Sequence, residues 1–165
     1  MIVYHGSDVI VEKPMLIKSH RKLDFGPGFY TTSNENQAVS FAHKVMLRNG
    51  SNTEYVSTYE IDMKKISTIL DVLEFKKPDE KWLDFVYENR QGKYGGRLYD
   101  VIVGPVANDT IYRVFRLYET GLYNKRTTIA ELKVRKLYNQ IVFCTDNALS
   151  YLNYVGLLEM GGDKL

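Results

Sequence analysis

The stretch LDFGPGFYTTSNENQAVSFAHK, residues 23–44, sets a short glycine loop and a tyrosine directly ahead of a helix. Its reading decides the fold, because the loop can be a phosphate cradle, a plain turn or the wall of a different kind of nucleotide pocket. FGPGFY fits neither GxxxxGK[ST] nor GxGxxG, and no lysine or serine follows at the required place, so the phosphate-loop and dinucleotide fingerprints are excluded. Taken alone, Gly26 and Gly28 with Pro27 fixing φ are sufficient for a tight turn. Phe29 opens a short strand over residues 29–32. Ser33 then caps a helix in which Ala38, Val39, Phe41, Ala42, Val45 and Met46 form a buried stripe, and Gly50 stops it.

Upstream, residues 2–4 read as an apolar strand ending in the polar run His5-Gly6-Ser7. Residues 8–28 hold two prolines and no sustained period, which predicts a long surface loop of the kind that more often carries function than not. Downstream, alternation predicts a strand over 55–61, and a second over 66–72. A helix is expected around Trp82, Leu83, Phe85 and Val86, and a strand over 100–103 that Gly104-Pro105 ends. Helices follow from an Asn108–Thr110 cap to about Tyr123 and over 129–138 behind Thr127 or Thr128. QIVFCT, residues 140–145, is a strand by its β-branched and aromatic content, and a last helix is expected over 148–154. Strands and helices mix without βαβ alternation and no linker divides the chain. The expectation is one α+β domain over residues 1–165.

Composition narrows the function classes. Apolar residues make up 44% and charged residues 25% of the 165, the balance of a globular chain able to build a core without staples. A net charge of +2 is too small to announce nucleic-acid binding. The single Cys144 excludes an internal disulfide and a cysteine zinc cluster. No run approaches a membrane span, MIVYHGSDVI lacks the pattern of a secretory signal, and a cytoplasmic location is expected. Thirteen tyrosines are unusual, and such rings serve both cores and the stacking of flat heterocycles.

Weak local signals bear on chemistry. His5 ends a strand, and Gly6 beside it lets a ligand approach the backbone because no Cβ intervenes. Gln140 opens a late strand whose alternation sets it beside Val142 and Cys144, so it can line a pocket. Arg21 and Lys22 stand just ahead of the glycine loop. Arg113, Arg116, Lys125, Arg126, Lys133, Arg135 and Lys136 read first as a solvated face balanced by Glu119 and Glu131. The alternative is a surface for an acidic acceptor or nucleic acid, which Tyr112, Phe115, Tyr118, Tyr123 and Tyr138 would suit. His20 and His43 lack paired ligands, and no metal site is expected.

In order, YHGS, LDFGPGFYTT with its AVSFA helix, and NQIVF resemble the His-Tyr-Glu branch of the ADP-ribosyltransferase superfamily, the branch of diphtheria toxin and the poly-ADP-ribose polymerases. Within it the chain looks most like the small bacterial family DUF3990, whose members carry YHGS and LDFGxGFYTT. The resemblance implies two small packed β-sheets with an NAD cleft between them and helices around. It implies that His5 hydrogen-bonds the adenosine ribose of NAD. Gly6 offers its N–H and C=O to the nicotinamide carboxamide, and Tyr30 stacks on the nicotinamide ring. The helix after it forms the wall, with Phe41 or Gln37 against the same ring. Ser7, Arg21, Gly28 and Phe29 complete the implied cofactor-binding set, and His5, Tyr30 and Gln140 the catalytic one. The glycine loop brings the backbone toward the cofactor and fixes where Tyr30 points.

The implied reaction breaks the nicotinamide–ribose bond, leaving an oxocarbenium-like ribose whose positive charge has to be stabilised. Family members usually place a glutamate where this chain has Gln140. A Gln oxygen still accepts a hydrogen bond from a ribose hydroxyl but brings no charge. A unit charge at ~4 Å is worth roughly 4 kcal/mol at an effective dielectric of 20, or about three decades of rate. Three readings follow: catalysis with glutamine, a carboxylate supplied by Asp24, Glu119 or Asp146, or a disabled enzyme that keeps an NAD or ADP-ribose pocket. The resemblance further implies a toxin of toxin–antitoxin type, with NAD as substrate, a macromolecular acceptor and a small antitoxin protein as partners.

Overall fold

The computed structural model describes residues 1–16, 23–106, 109–133 and 138–159. The chain runs β1 (Ile2–Ser7), β2 (Phe29–Thr32), α1 (Glu35–Asn49), β3 (Tyr55–Glu60), α2 (Met63–Ile69), β4 (Val72–Glu74) and α3 (Glu80–Gln91). It continues through β5 (Val101–Val106), α4 (Asp109–Glu119), α5 (Lys125–Lys133), β6 (Tyr138–Phe143), α6 (Asp146–Leu149) and β7 (Asn153–Leu157). The fold is mixed α and β, as expected.

All seven strands join one sheet in the order β4-β5-β6-β2-β1-β3-β7. The expectation of two separate packed sheets is corrected in that respect. The sheet is nonetheless nearly divided. β1 pairs with β3 at six consecutive positions, from Ile2–Glu60 to Ser7–Tyr55, and β2 pairs with β6 at four. Between β1 and β2 a single pair, Tyr4–Thr32, holds the two halves together.

Two cores cover opposite faces. Val3, Phe29, Ile141 and Phe143 pack one face against Ile66 and Leu70 from the α2 region and Ala148 and Leu149 of α6. Phe25, Ile102 and Val142 pack the other against Trp82 and Leu83 of α3, Phe115 of α4 and Leu132 of α5. A smaller cluster of Ala38, Ala42 and Val56 seats α1 on β1 and β3. Burying a large apolar side chain contributes about 1.5–3 kcal/mol, so the fully buried Trp82, Phe115 and Phe143 are major contributors.

Local chemistry explains the departures from expectation. Asn34, one residue beyond the expected Ser33, caps α1 by accepting from the Gln37 N–H at 2.9 Å. Gly50 ends that helix at φ 66° as expected. The expected strand over 66–72 is instead α2 followed by β4, because the Asp62 carboxylate caps the N–H groups of Lys64 and Lys65. The β-branched content of that segment misleads. β5 continues through Gly104-Pro105: β4 pairs only with Val101–Val103, so on that side Pro105 meets no strand that needs its N–H. The expected helix over 148–154 is the one-turn α6, capped by Thr145, and then β7, which extends β3. The expected helix over 129–138 is α5, which starts earlier, where the Asn124 side chain accepts from the Thr127 N–H; residues 134–137 lie outside those described. No helix among the described residues is long and apolar enough to cross a membrane.

Candidate active site

β1, β2 and β6 carry the three sequence signals, and the sheet order places them side by side as β6-β2-β1. Cross-strand partners share a face. By that rule Tyr30 and Val142, and Thr32 with Gln140 and Tyr4, stand on one face of the sheet. His5 stands on the other, its ring stacked on Phe29 with centroids 4.2 Å apart. The segments therefore converge, while the His5 ring and the Tyr30 ring do not share a face.

They meet through the backbone. His5 Nδ1 lies 2.7 Å from the Tyr30 carbonyl oxygen. A carbonyl only accepts, so Nδ1 carries the proton and Nε2 of the neutral ring is a hydrogen-bond acceptor. Burial lowers the pKa of His5 below the usual histidine value, opposed by the bond to Tyr30.

The β1–β2 ladder ends early. By the β1–β2 register Gly6 lies opposite Tyr30, yet pairing stops at Tyr4–Thr32. On its other side Gly6 is opposite Val56, whose carbonyl is given away to Leu158. The Gly6–Val56 pair is thus a non-hydrogen-bonded one, and Gly6 turns its own N–H and C=O toward β2. A main-chain donor and acceptor of a buried residue thus face β2 beyond the Tyr4–Thr32 pair.

Packing against α1 requires glycine at position 6. A Cβ there would lie 2.2 Å from the Ala38 carbonyl oxygen and 2.7 Å from the Ala42 nitrogen. The absent side chain makes room for α1. Gly28 is similar, its Cβ position being 2.5 Å from Val142 Cγ1.

The glycine loop clamps Tyr30. The Tyr30 hydroxyl donates to the Gly26 carbonyl at 2.7 Å and accepts from the Phe25 N–H at 3.1 Å. Gly26 adopts φ +76°, a conformation that favours glycine. Phe25, 2% exposed, anchors the loop among Phe75 and Phe85.

Gln140 is 4% exposed, and its Nε2 has no hydrogen-bond partner among the described residues. Leaving such a donor buried and unmade costs about 1–3 kcal/mol. Phe41, expected in the buried stripe of α1, is 42% exposed instead; Ala38, Ala42 and Val45 form that stripe. Gln37 accepts from the Thr32 hydroxyl at 2.7 Å, a tie between α1 and β2 that the TT of GFYTT could have signalled. Ser7 ends β1, its hydroxyl 3.4 Å from the neighbouring Asp8 carboxylate. Arg21, Lys22 and His20 lie outside the described residues, as do Arg135 and Lys136.

The three candidate substitute carboxylates lie outside β1, β2 and β6. Asp24 pairs with Arg90 at 2.7 Å, both side chains being little exposed. Glu119 lies 3.9 Å from Arg116, and Asp146 begins α6 on the surface. Of the basic residues on α4 and α5, Lys125 pairs with Asp84 at 2.7 Å, while Arg113, Arg126 and Lys133 are exposed. His43 pairs with Glu54 at 2.9 Å on the surface.

The chain matches, over residues 1–154, the family described as a protein of unknown function, DUF3990, and belongs to it. No curated protein and no solved structure matches it.

Proposed function

We propose that this protein is an NAD-dependent ADP-ribosyltransferase with an ADP-ribosyltransferase-like fold, acting as a bacterial toxin that a small antitoxin protein restrains. The observation that carries the reading is the end of the β1–β2 ladder short of Gly6. A carboxamide needs a donor and an acceptor side by side, and the N–H and C=O of Gly6 turn toward β2 beyond the last recorded pair of that ladder. In this reading a ligand bound there meets His5 from one face of the sheet and Tyr30 and Gln140 from the other.

In this reading the nicotinamide carboxamide docks on Gly6. His5 Nε2 accepts from a ribose hydroxyl, and Tyr30, held by Gly26 and Phe25, stacks on the leaving ring. The C1′–N bond breaks with its electron pair going to nicotinamide, which leaves neutral. A nucleophile on a protein or nucleic-acid acceptor then bonds to C1′ and gives up its proton. Gln140 Oε1 accepts from the ribose 2′-hydroxyl at the cationic stage.

The test is nicotinamide release from NAD by the purified protein, followed by mass spectrometry of cell protein and RNA for added ADP-ribose. Release with labelled acceptor supports the reading; neither, at millimolar NAD, overturns it. Growth arrest on expression, relieved by a co-expressed small neighbouring protein, tests the toxin assignment.

The buried amide of Gln140 favours a second reading, a module that binds NAD or ADP-ribose without chemistry, since no carboxylate stands on β1, β2 or β6 beside it. Such a module is stabilised by the ligand yet releases nothing.

A further inference from the structure

We propose that Asp24 and Arg90 are positioning residues that aim Tyr30 through the glycine loop. Arg90, in the last turn of α3, donates from Nε to the Asp24 carboxylate at 2.7 Å. The two side chains are only 13% and 12% exposed. The Arg90 guanidinium also lies over the fully buried Phe115 ring, 4.4 Å from its centroid, so its position is set by α4 as well as by α3. One residue away on α3, Asn89 Oδ1 stands 2.7 Å from where a Gly26 Cβ would be. The loop is thus pressed against α3 at Gly26 and held by charge at Asp24.

That placement fixes the two groups that hold Tyr30. Phe25 N–H and Gly26 C=O follow Asp24 directly in the chain, and both bond the Tyr30 phenol. Tyr30 has its ring on the α3 side of the sheet, and it hands its carbonyl to His5 on the opposite face. A loop displaced at Asp24 shifts the phenol and, through it, the residue that both candidate rings depend on. The pair's solvent exclusion makes it a unit whose two members fail together, and Arg90 with its planar fork is not replaced by lysine without loss.

The kinetic arm of the test rests on the NAD reading; a fluorine arm does not. With 3-fluorotyrosine placed at Tyr30 alone, Asp24→Asn and Arg90→Gln each shift and broaden its ¹⁹F resonance, while Asp24→Glu restores it at least partly. In NAD turnover, Asp24→Asn raises KM for NAD at least tenfold and Asp24→Glu recovers most of that. Because Asp24 acts through the phenol, adding Asp24→Asn to Tyr30→Phe changes KM less than twofold. An unchanged ¹⁹F signal in folded Asp24→Asn protein overturns the proposal, as does full additivity with Tyr30→Phe. Absence of turnover in the unsubstituted protein overturns the enzyme reading and leaves the fluorine arm to decide the clamp.

Discussion

His5 and Tyr30 are joined by one bond that crosses the sheet: imidazole Nδ1 sits 2.7 Å from the Tyr30 carbonyl oxygen, while the two rings stand on opposite faces. That bond sets the tautomer of one residue and the backbone of the other. His5→Ala and Tyr30→Ala are each expected to lower nicotinamide release at least a hundredfold with the fold intact by circular dichroism. Full activity in both variants sinks the site assignment.

The burial of His5 gives a pH dependence. Burial holds the folded His5 below the ordinary histidine pKa of about 6.5. Between the two values the unfolded chain binds more protons than the folded one, so stability falls as pH drops. The contribution is fully present above about pH 6.5 and is lost toward the folded pKa. Denaturant midpoints of the unsubstituted protein and His5→Gln, compared from pH 8 to pH 5, check this; the variant is expected to show the shallower decline.

Gly6→Ala places a methyl 2.2 Å from a main-chain oxygen of α1. Backbone cannot swing aside as a side chain does, so a loss of about 3 kcal/mol or more is expected. Urea unfolding measures it, and a loss under 1 kcal/mol contradicts the close packing of α1 on β1.

Gln140→Glu separates the two functional readings. Under the enzyme reading the added charge raises nicotinamide release, by up to about three decades. A buried carboxylate without a partner also lowers the melting temperature in the absence of NAD. A pure binding module shows the second effect without the first.

Cys144 is held up at about 12, by burial first and the Asp100 charge second. The thiolate is the reactive form. A thiol reagent at pH 8 is expected to label the folded protein at least a hundredfold more slowly than the urea-unfolded chain, by absorbance of the released chromophore.

The elements with strong local signals were legible in the sequence. β2, α1 with its Gly50 stop, α3 behind Asp79 and the core of β6 all lie close to where periodicity and capping put them. The misreadings arose where tertiary pairing outranks local preference. Ile66 and Ile69 look like strand residues until Asp62 caps a helix, and residues 153–157 become a strand because β3 offers an edge. At the site, residue identity pointed to His5, Tyr30 and Gln140, but alternation along single strands could not tell which face each takes relative to the others. Nor could it reveal the Asp24–Arg90 pair, whose members lie 66 positions apart.

The interrupted ladder at Gly6 has a consequence for ancestry. Main-chain donors and acceptors carry no residue identity, so a lineage can replace most of the side chains around such a break and keep its hydrogen-bonding groups. Distant kin of this protein are better sought by where two strands part company than by which letters flank them.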